Sequence, residues 1–586
     1  MMRTMREDSA RQIEDSKGQQ SAAERLHALF RLHWTYTLDE YPELATYTGD
    51  PGRNHRWTDH SLKAYDRRNR EMEVPARVLA TIDRAALSPA DQVHYDLFRR
   101  NVEESLEGRR FKGEYMPVTQ MGGVQQNVAQ YLMLMPYFQR TDFENAVARM
   151  EAVPALVDQT IGLLEKGVET GITPPRVTLR DVPDQVRNQI VEDPLTSPLL
   201  RPFLSVPPAI DAPTQERLRA AAARAYTGAV APAYRRLLEY LETRYLPRTR
   251  ETIAARDLPD GEAWYAFSIR QMTTTRLGAE EIHRIGLAEV KRLRAEMEAV
   301  IARADFDGTF QQFVGFLRTD DRFFFDRAED LLVAYRDICK RVDPELPKLF
   351  ATLPRLPYGV APVPSYAEKS QTTAYYEPGS PSAGRPGRFF ANTYDLRARP
   401  RWEMEALALH EAVPGHHLQI AIAQELPEMP DFRRHGFYTA YIEGWGLYAE
   451  SLGSEMGFYE DPYAKFGQLT YEMWRAIRLV VDTGMHSLGW SRQQAIDYFA
   501  ENAGKAEHDI VVEVDRYIVW PAQALAYKIG ELKIKELRAR ASAALGPRFD
   551  LRLFHDQVLG AGALPLDVLE ARIDAWVARK LQSLRP

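Results

Sequence analysis

The chain is poor in the features that would place it in several common classes. Among its 586 residues there is a single cysteine, Cys339. An intramolecular disulfide and a thiolate metal cluster are both excluded, which favours a reducing compartment. Cys339 lies in a helical pattern with no histidine nearby and reads as a packing residue. No uninterrupted apolar run reaches the length of a membrane span. Residues 1–20 are polar and mixed in charge, without the apolar core of a signal peptide. A basic surplus is also missing: the net charge is −7 and the pI about 6.1, so a nucleic-acid partner is not expected. Internal repeats and low-complexity segments are absent. A cytoplasmic protein with a flexible tail over 1–20 and no membrane partner is expected.

What is present is ordinary for a globular protein, with 45% hydrophobic and 27% charged residues. The length exceeds one compact core, so the helical catalytic unit, 21–586, is expected to form two lobes, about 21–205 and 206–586. The pattern is mainly α. Ser88 followed by Pro89 reads as an N-cap with proline at the first helical position. Thr141 with Glu144, and Ser491 with Gln494, have capping-box spacing. Ile282, Ile285, Val290, Leu293, Met297 and Val300 recur at intervals of three and four, predicting one amphipathic helix over 279–304.

Two proline-rich stretches break this rhythm. Leu195 to Pro213 reads as a connection between lobes, and Leu353 to Pro386 is the longer of the two. Residues 373–376 and 388–393 read as two short strands, joined by the Gly/Pro/Ser loop from Pro378 to Gly387 into a hairpin. The hairpin precedes a stretch rich in metal-ligating side chains. It either aligns an extended peptide by strand addition or fills the core with its aromatics.

That stretch is His410-Glu-Ala-Val-Pro-Gly-His-His417, which holds three of the 13 histidines in eight residues. Imidazole is a favoured zinc donor, and the adjacent Glu411 is placed to act as a base on water. The spacing departs from the usual zincin motif, where two histidines at i and i+4 share a helix face. Here the i+4 position is Pro414. On a continuous helix His416 would lie on the wrong face, and His417 on the right face but roughly 10 Å along the axis. Proline disfavours helix at Val413 and Gly415 is permissive, so a local bulge would return His416 to the metal. The alternative is a helix ending at Val413 with two histidines in a loop. A third ligand is sought downstream. Glu443 lies in an apolar helical stretch, Tyr441 to Glu450, where a carboxylate is costly unless paired or metal-bound. Gly444 and Gly446 would let another helix approach. Glu450, two turns beyond Glu443 on the same face, is placed to orient a ligating histidine.

With these stretches in hand, the chain resembles the bacterial family known as domain of unknown function 885. The resemblance runs through Asp260-Gly261, Trp264-Tyr265, Thr273 to Thr275, Glu280 to His283 and Gly286-Leu287. It continues through Tyr375-Tyr376, Asn392-Thr393, His410 to Gln419 and Glu443 to Trp445. It ends with Asp482 to His486, Gly489-Trp490, Asp515 to Tyr517, Pro521, Gln523, Tyr527 and Gly530. The resemblance implies a distant zincin-like metallopeptidase branch: a large helical fold, two lobes around a deep cleft, and a short hairpin beside the active-site helix. It implies His416 as ligand, with His417 variable and outside the coordination sphere. It also supplies candidates for the rest of a site in 400–530: His486 or Tyr517 as oxyanion donor, and Arg516, Tyr527, Tyr376 and Asn392 as substrate contacts.

The sequence therefore predicts a zinc-dependent hydrolase with His410, His416 and Glu443 as ligands and Glu411 as general base. An oligopeptide or small amide is the expected substrate. A hydrolase of a non-peptide amide or ester shares the same residues. A catalytically inactive peptide-binding protein is disfavoured by the retained Glu411.

Overall fold

The computed structural model describes residues 2–364, 368, 372–380, 385–427, 429–505 and 507–582, with side chains from residue 7 onward. The chain is mainly helical with one small sheet, and it divides into two compact units. Unit 1 comprises Met1–Ile253, Asp257–Gly261 and Pro430–His435; unit 2 comprises Ala254–Arg256, Glu262–Met429 and Gly436–Pro586. No described helix is long and apolar enough to cross a membrane.

Unit 1 is built on two apolar clusters. The segment expected as a tail is largely the helix Met2–Asp15, whose Ala10 and Ile13 are buried with Leu26, Leu29 and Phe30. Ser88 caps the helix Pro89–Gly108 by accepting from the Asp91 amide, with Pro89 at the first position. The expected capping box at Thr141 lies two residues earlier. The helix runs Arg140–Glu151, and the Asp142 carboxylate accepts from the amides of Phe138 and Gln139. The proline-rich stretch from Leu195 lies inside this unit, where Leu199, Leu200, Phe203, Val206 and Ile210 join the larger core.

Unit 2 carries the histidine stretch. Its framework is α1 (Ala279–Arg303), α2 (Ala328–Val342), α3 (Met404–Glu411), α4 (His416–Glu425), α5 (Thr439–Leu452), α6 (Pro462–His486), α7 (Glu507–Val519) and α8 (Ala526–Leu545). α1 buries Ile282, Val290, Leu293, Met297 and Val300 along the face that the periodicity marks. Gly286 on that face lets it press on α6: a Cβ there would lie 2.7 Å from Leu479 Cβ. Ser491 and Gln494 form the expected capping box. α6 is buried nearly all round, with Leu469, Met473, Ile477, Leu479 and Val480 inside. It also buries charge. Lys528 of α8, fully enclosed, lies 2.7 Å from Glu472 of α6, 2.6 Å from Glu531 of α8 and 3.0 Å from Glu289 of α1. One cation thus ties three helices, as burial of an ammonium requires. Cys339 is buried on α2, and burial pushes its thiol up to about 12, consistent with a packing role.

The sheet has three strands where the sequence suggests two. β1 (Tyr358–Pro362) runs parallel to β3 (Gly387–Ala391), and β2 (Ala374–Glu377) pairs antiparallel on the other side of β3. Tyr375 opposes Phe390 and Tyr376 opposes Phe389 in the expected hairpin; residues 381–384 of its loop lie outside the described residues. β1 escapes a sequence reading because it sits in the proline-rich stretch and ends on Pro362, a residue its place at the sheet edge tolerates.

Candidate metal centre

The turn between α3 and α4 brings the two histidines together. α3 ends at Glu411, with the Ala412 amide bonded to the Ala408 carbonyl, and α4 begins afresh at His416. The expected bulge in one helix is instead a complete break. Residues 412–415 form a turn with a cis Val413–Pro414 peptide bond, and the His417 amide closes it onto the Ala412 carbonyl. Trp445 Nε1 donates to the Pro414 carbonyl at 2.8 Å and pins the turn to α5. Gly415 is needed for space and not for an unusual φ. Its φ is −77°, but a Cβ there would sit 1.9 Å from the His410 carbonyl oxygen.

The rings of His410 and His416 meet at 4.6 Å between centroids, nearly perpendicular. Glu443 comes up between them from α5. Its Oε2 is 3.6 Å from His410 Nε2 and 3.5 Å from His416 Nε2, and the three possible ligand atoms lie within 4.8 Å of one another. For zinc with bonds of about 2.0–2.1 Å, a tetrahedron sets donors about 3.4 Å apart, so the two distances from Glu443 suit that ion. α5 reaches this position through two glycines. Gly444 crosses Gly530 of α8, where a Cβ would meet the Gly530 backbone at 2.5 Å. Gly446 faces the His410 ring, where a Cβ would lie 2.7 Å from Cε1.

The surrounding groups set ring orientation and charge. Glu450 Oε1 is 2.8 Å from His410 Nδ1, so that nitrogen carries the proton shared with the carboxylate and Nε2 faces Glu443. His416 Nδ1 and Glu450 Oε2 are buried with no hydrogen-bond partner among the described residues. Burial opposes charge on His410, but Glu443 and Glu450 outweigh it and raise its pKa to about 10. Burial likewise works against Glu443, yet His410 and His416 hold it well below the usual carboxylate range. Glu411 is 9% exposed, and its carboxylate makes no hydrogen bond or ion pair with any described residue.

His417 points elsewhere. Its Nε2 donates to the Leu356 carbonyl at 3.1 Å and its Nδ1 meets the Tyr376 hydroxyl at 2.9 Å. Burial keeps it neutral, lowering its pKa to about 4. It therefore locks the sheet to the start of α4, one residue from His416.

The other expected site residues are engaged within the chain. His486 is fully buried, accepting from the Ala255 amide at Nδ1 and donating from Nε2 to the Tyr517 carbonyl. Its ring is a clamp on the main chain and has no nitrogen left for an oxyanion. The Tyr517 hydroxyl is also spent: it donates to Glu513 at 2.6 Å and accepts from Arg478 and Trp474. Asn392 is fully buried and donates to the carbonyls of Glu368 and Thr372, holding the segments around the sheet. Tyr376 uses its hydroxyl on His417. Arg516 reaches Gln523 at 2.6 Å and Tyr527 at 3.5 Å, with Glu513 at 3.4 Å.

Two arginines were missed. Arg475 and Arg478 of α6 are 7% and 4% exposed, and Arg475 Nη2 is 3.8 Å from Glu450 Oε1. Charged residues in the apolar run from Leu469 to Val481 were a readable signal, since such burial is costly without a purpose.

Comparison with known proteins places the chain without assigning it an activity. The family described as "Bacterial protein of unknown function (DUF885)" matches residues 42–573. The crystal structure of a protein described as "the putative lipoprotein from Colwellia psychrerythraea" is similar at a TM-score of 0.89 and 28% identity, covering 96% of this chain and 100% of that one. A "putative lipoprotein of unknown function from Shewanella oneidensis" shares the fold at a TM-score of 0.71 and 16% identity, covering 93% of this chain and 99% of that one. No curated protein matches the chain.

Proposed function

The chain belongs to the DUF885 family of bacterial proteins, and we propose that it is a zinc-dependent hydrolase, a zincin-like peptidase acting on oligopeptides. The observation that carries this reading is the trio His410, His416 and Glu443, whose possible ligand atoms lie within 4.8 Å of one another beside Glu411, a carboxylate that bonds to no described residue. A zinc ion held there would supply Lewis acidity, polarising a substrate carbonyl and bringing the acidity of a water towards neutral pH. The chain's residues do the remaining work. Glu450 holds His410 by Nδ1, so that Nε2 stays available as a donor. Glu411 takes a proton from the attacking water, whose oxygen bonds to the carbonyl carbon. The C–N bond then breaks, and Glu411 returns the proton to the departing amine. β2 lies at an edge of the sheet, and Tyr376 on it bonds His417, next to the ligand His416. An extended peptide added to such an edge would run close to the centre, which favours a peptide over a smaller amide or ester.

The test is metal analysis of the purified protein, followed by digestion of a peptide library with and without chelator. Stoichiometric zinc and chelator-sensitive cleavage are expected. A metal-free protein that binds no zinc on titration would reject the reading.

A further inference from the structure

The basic cluster next to the centre is not balanced by the described residues. Arg475 and Arg478 lie one turn apart on α6, and Arg516 comes from α7. All three gather round Tyr527 of α8: the guanidinium carbon of Arg478 is 4.5 Å from the ring centre, that of Arg475 is 6.0 Å away, and Arg516 Nη2 is 3.5 Å from the hydroxyl. Arg478 spends Nε on Tyr517 and Nη2 on Glu513, while Arg475 spends Nη1 on the Tyr471 carbonyl. Arg478 Nη1 and Arg475 Nε are buried with no hydrogen-bond partner among the described residues.

The charges around the cluster do not cancel. The nearby Lys505 is matched by Glu403 at 2.6 Å. The three arginines face two carboxylates, Glu513 and Glu450, and Glu450 is already bonded to His410. Buried donors are almost always satisfied, and a guanidinium is the side chain suited to a planar carboxylate. Surplus positive charge with idle N–H groups is the arrangement expected where the missing anion arrives with a ligand.

We propose that Arg475, Arg478 and Arg516, grouped round Tyr527, bind a carboxylate of the substrate, and that this carboxylate is the free C-terminus of a peptide. The inference rests on the hydrolase reading and narrows it. Arg475 is separated from the ligand His410 only by the Glu450 carboxylate, at 3.8 Å and 2.8 Å on its two sides. A C-terminus held there would leave the last few residues to pass round the His410 ring to its Nε2 side, so the enzyme trims from the C-terminal end. The aromatic faces of Tyr527 and Trp474 keep the arginines oriented by cation–π contact before the ligand arrives.

The experiment uses the zinc-loaded full-length protein and matched hexapeptides that end in a free carboxylate or a carboxamide, each with and without an internal glutamate. Cleavage is followed by mass spectrometry. A kcat/KM at least tenfold higher for the free acids is expected, expressed in KM, with products shortened at the C-terminus and no effect of the internal glutamate. Arg475→Gln and Arg516→Gln should bring the acid-to-amide ratio towards one, and Arg516→Lys should retain part of it. A ratio near one in the unaltered protein overturns the proposal, as does a preference that follows the internal glutamate. If no peptide is cleaved, the same pairs are titrated calorimetrically into the unaltered protein. Tighter binding of the acids then upholds the carboxylate site and rejects the hydrolase reading, whereas equal binding or none overturns the site.

Discussion

Nδ1 of His410 lies 2.8 Å from Oε1 of Glu450, and neither atom is open to solvent. The bond fixes which nitrogen of the ring is left for a metal. Glu450→Gln should therefore keep the fold but weaken zinc binding about 10–100-fold, the usual cost of losing such a partner. Competition with a chelating dye measures it. Unchanged affinity would mean that His410 is oriented by its packing against Gly446 alone.

The two adjacent histidines should behave oppositely. His416→Ala should abolish stoichiometric zinc. His417→Ala should retain zinc and instead lose about 1–3 kcal/mol of stability, because it leaves the Leu356 carbonyl and the Tyr376 hydroxyl without their partner. Zinc content and urea unfolding separate the two, and a reversal would sink the assignment of ligands.

Glu411→Gln should bind zinc like the unaltered protein and lose at least about 100-fold in turnover, the lower range for removing a general base. His410→Ala should lose metal and turnover together. Near-normal turnover in Glu411→Gln would move the base to another carboxylate.

Stability should fall in mild acid. Burial pushes His555 down to about 3, and its neutral ring donates to the Leu349 carbonyl while accepting from Tyr448. An unfolded histidine titrates near pH 6.5, so the unfolded chain binds the proton first. The contribution is complete above about pH 6.5 and is lost as the pH falls towards 3. His94 and His417, each lowered to about 4, act with the same sign. Asp482 acts against them: burial raises it to about 7, so its contribution is present at low pH and lost as the pH rises through 7. Urea midpoints from pH 7 to pH 4 should decline, less steeply in His555→Gln. An identical slope would show that His555 is not the group protonated.

Much of unit 2 was legible because its signals are local. The α1 face, the Ser491 box and the two aromatic strands each follow from spacing within a few residues. His410, His416 and Glu443 were legible from donor chemistry, although the means by which they meet was not. Spacing alone could not distinguish a bulge from a full break, because the break depends on Trp445 holding the Pro414 carbonyl from another helix. His486 and Tyr517 look chemical in one dimension and are structural in three, since their partners, Ala255 and Glu513 with Arg478, are chosen by packing. β1 was hidden by Pro362 and the prolines flanking it, and its pairing with β3 is contact at a distance that no periodicity reports.

Separating α3 from α4 frees the ligand geometry from helical pitch. In one continuous helix each added residue would swing the second histidine by about 100°. Here the connection is a turn, so the spacing of the two histidines is set by the turn and not by helical pitch. The firmer signature lies on α5. Glu443 and Glu450 stand seven residues apart on one face, holding Nε2 and Nδ1 of the same imidazole, with Gly446 between them opposite the ring. A glutamate, a glycine three residues on and a second glutamate four beyond that would find this centre from the one helix in it that contributes no histidine.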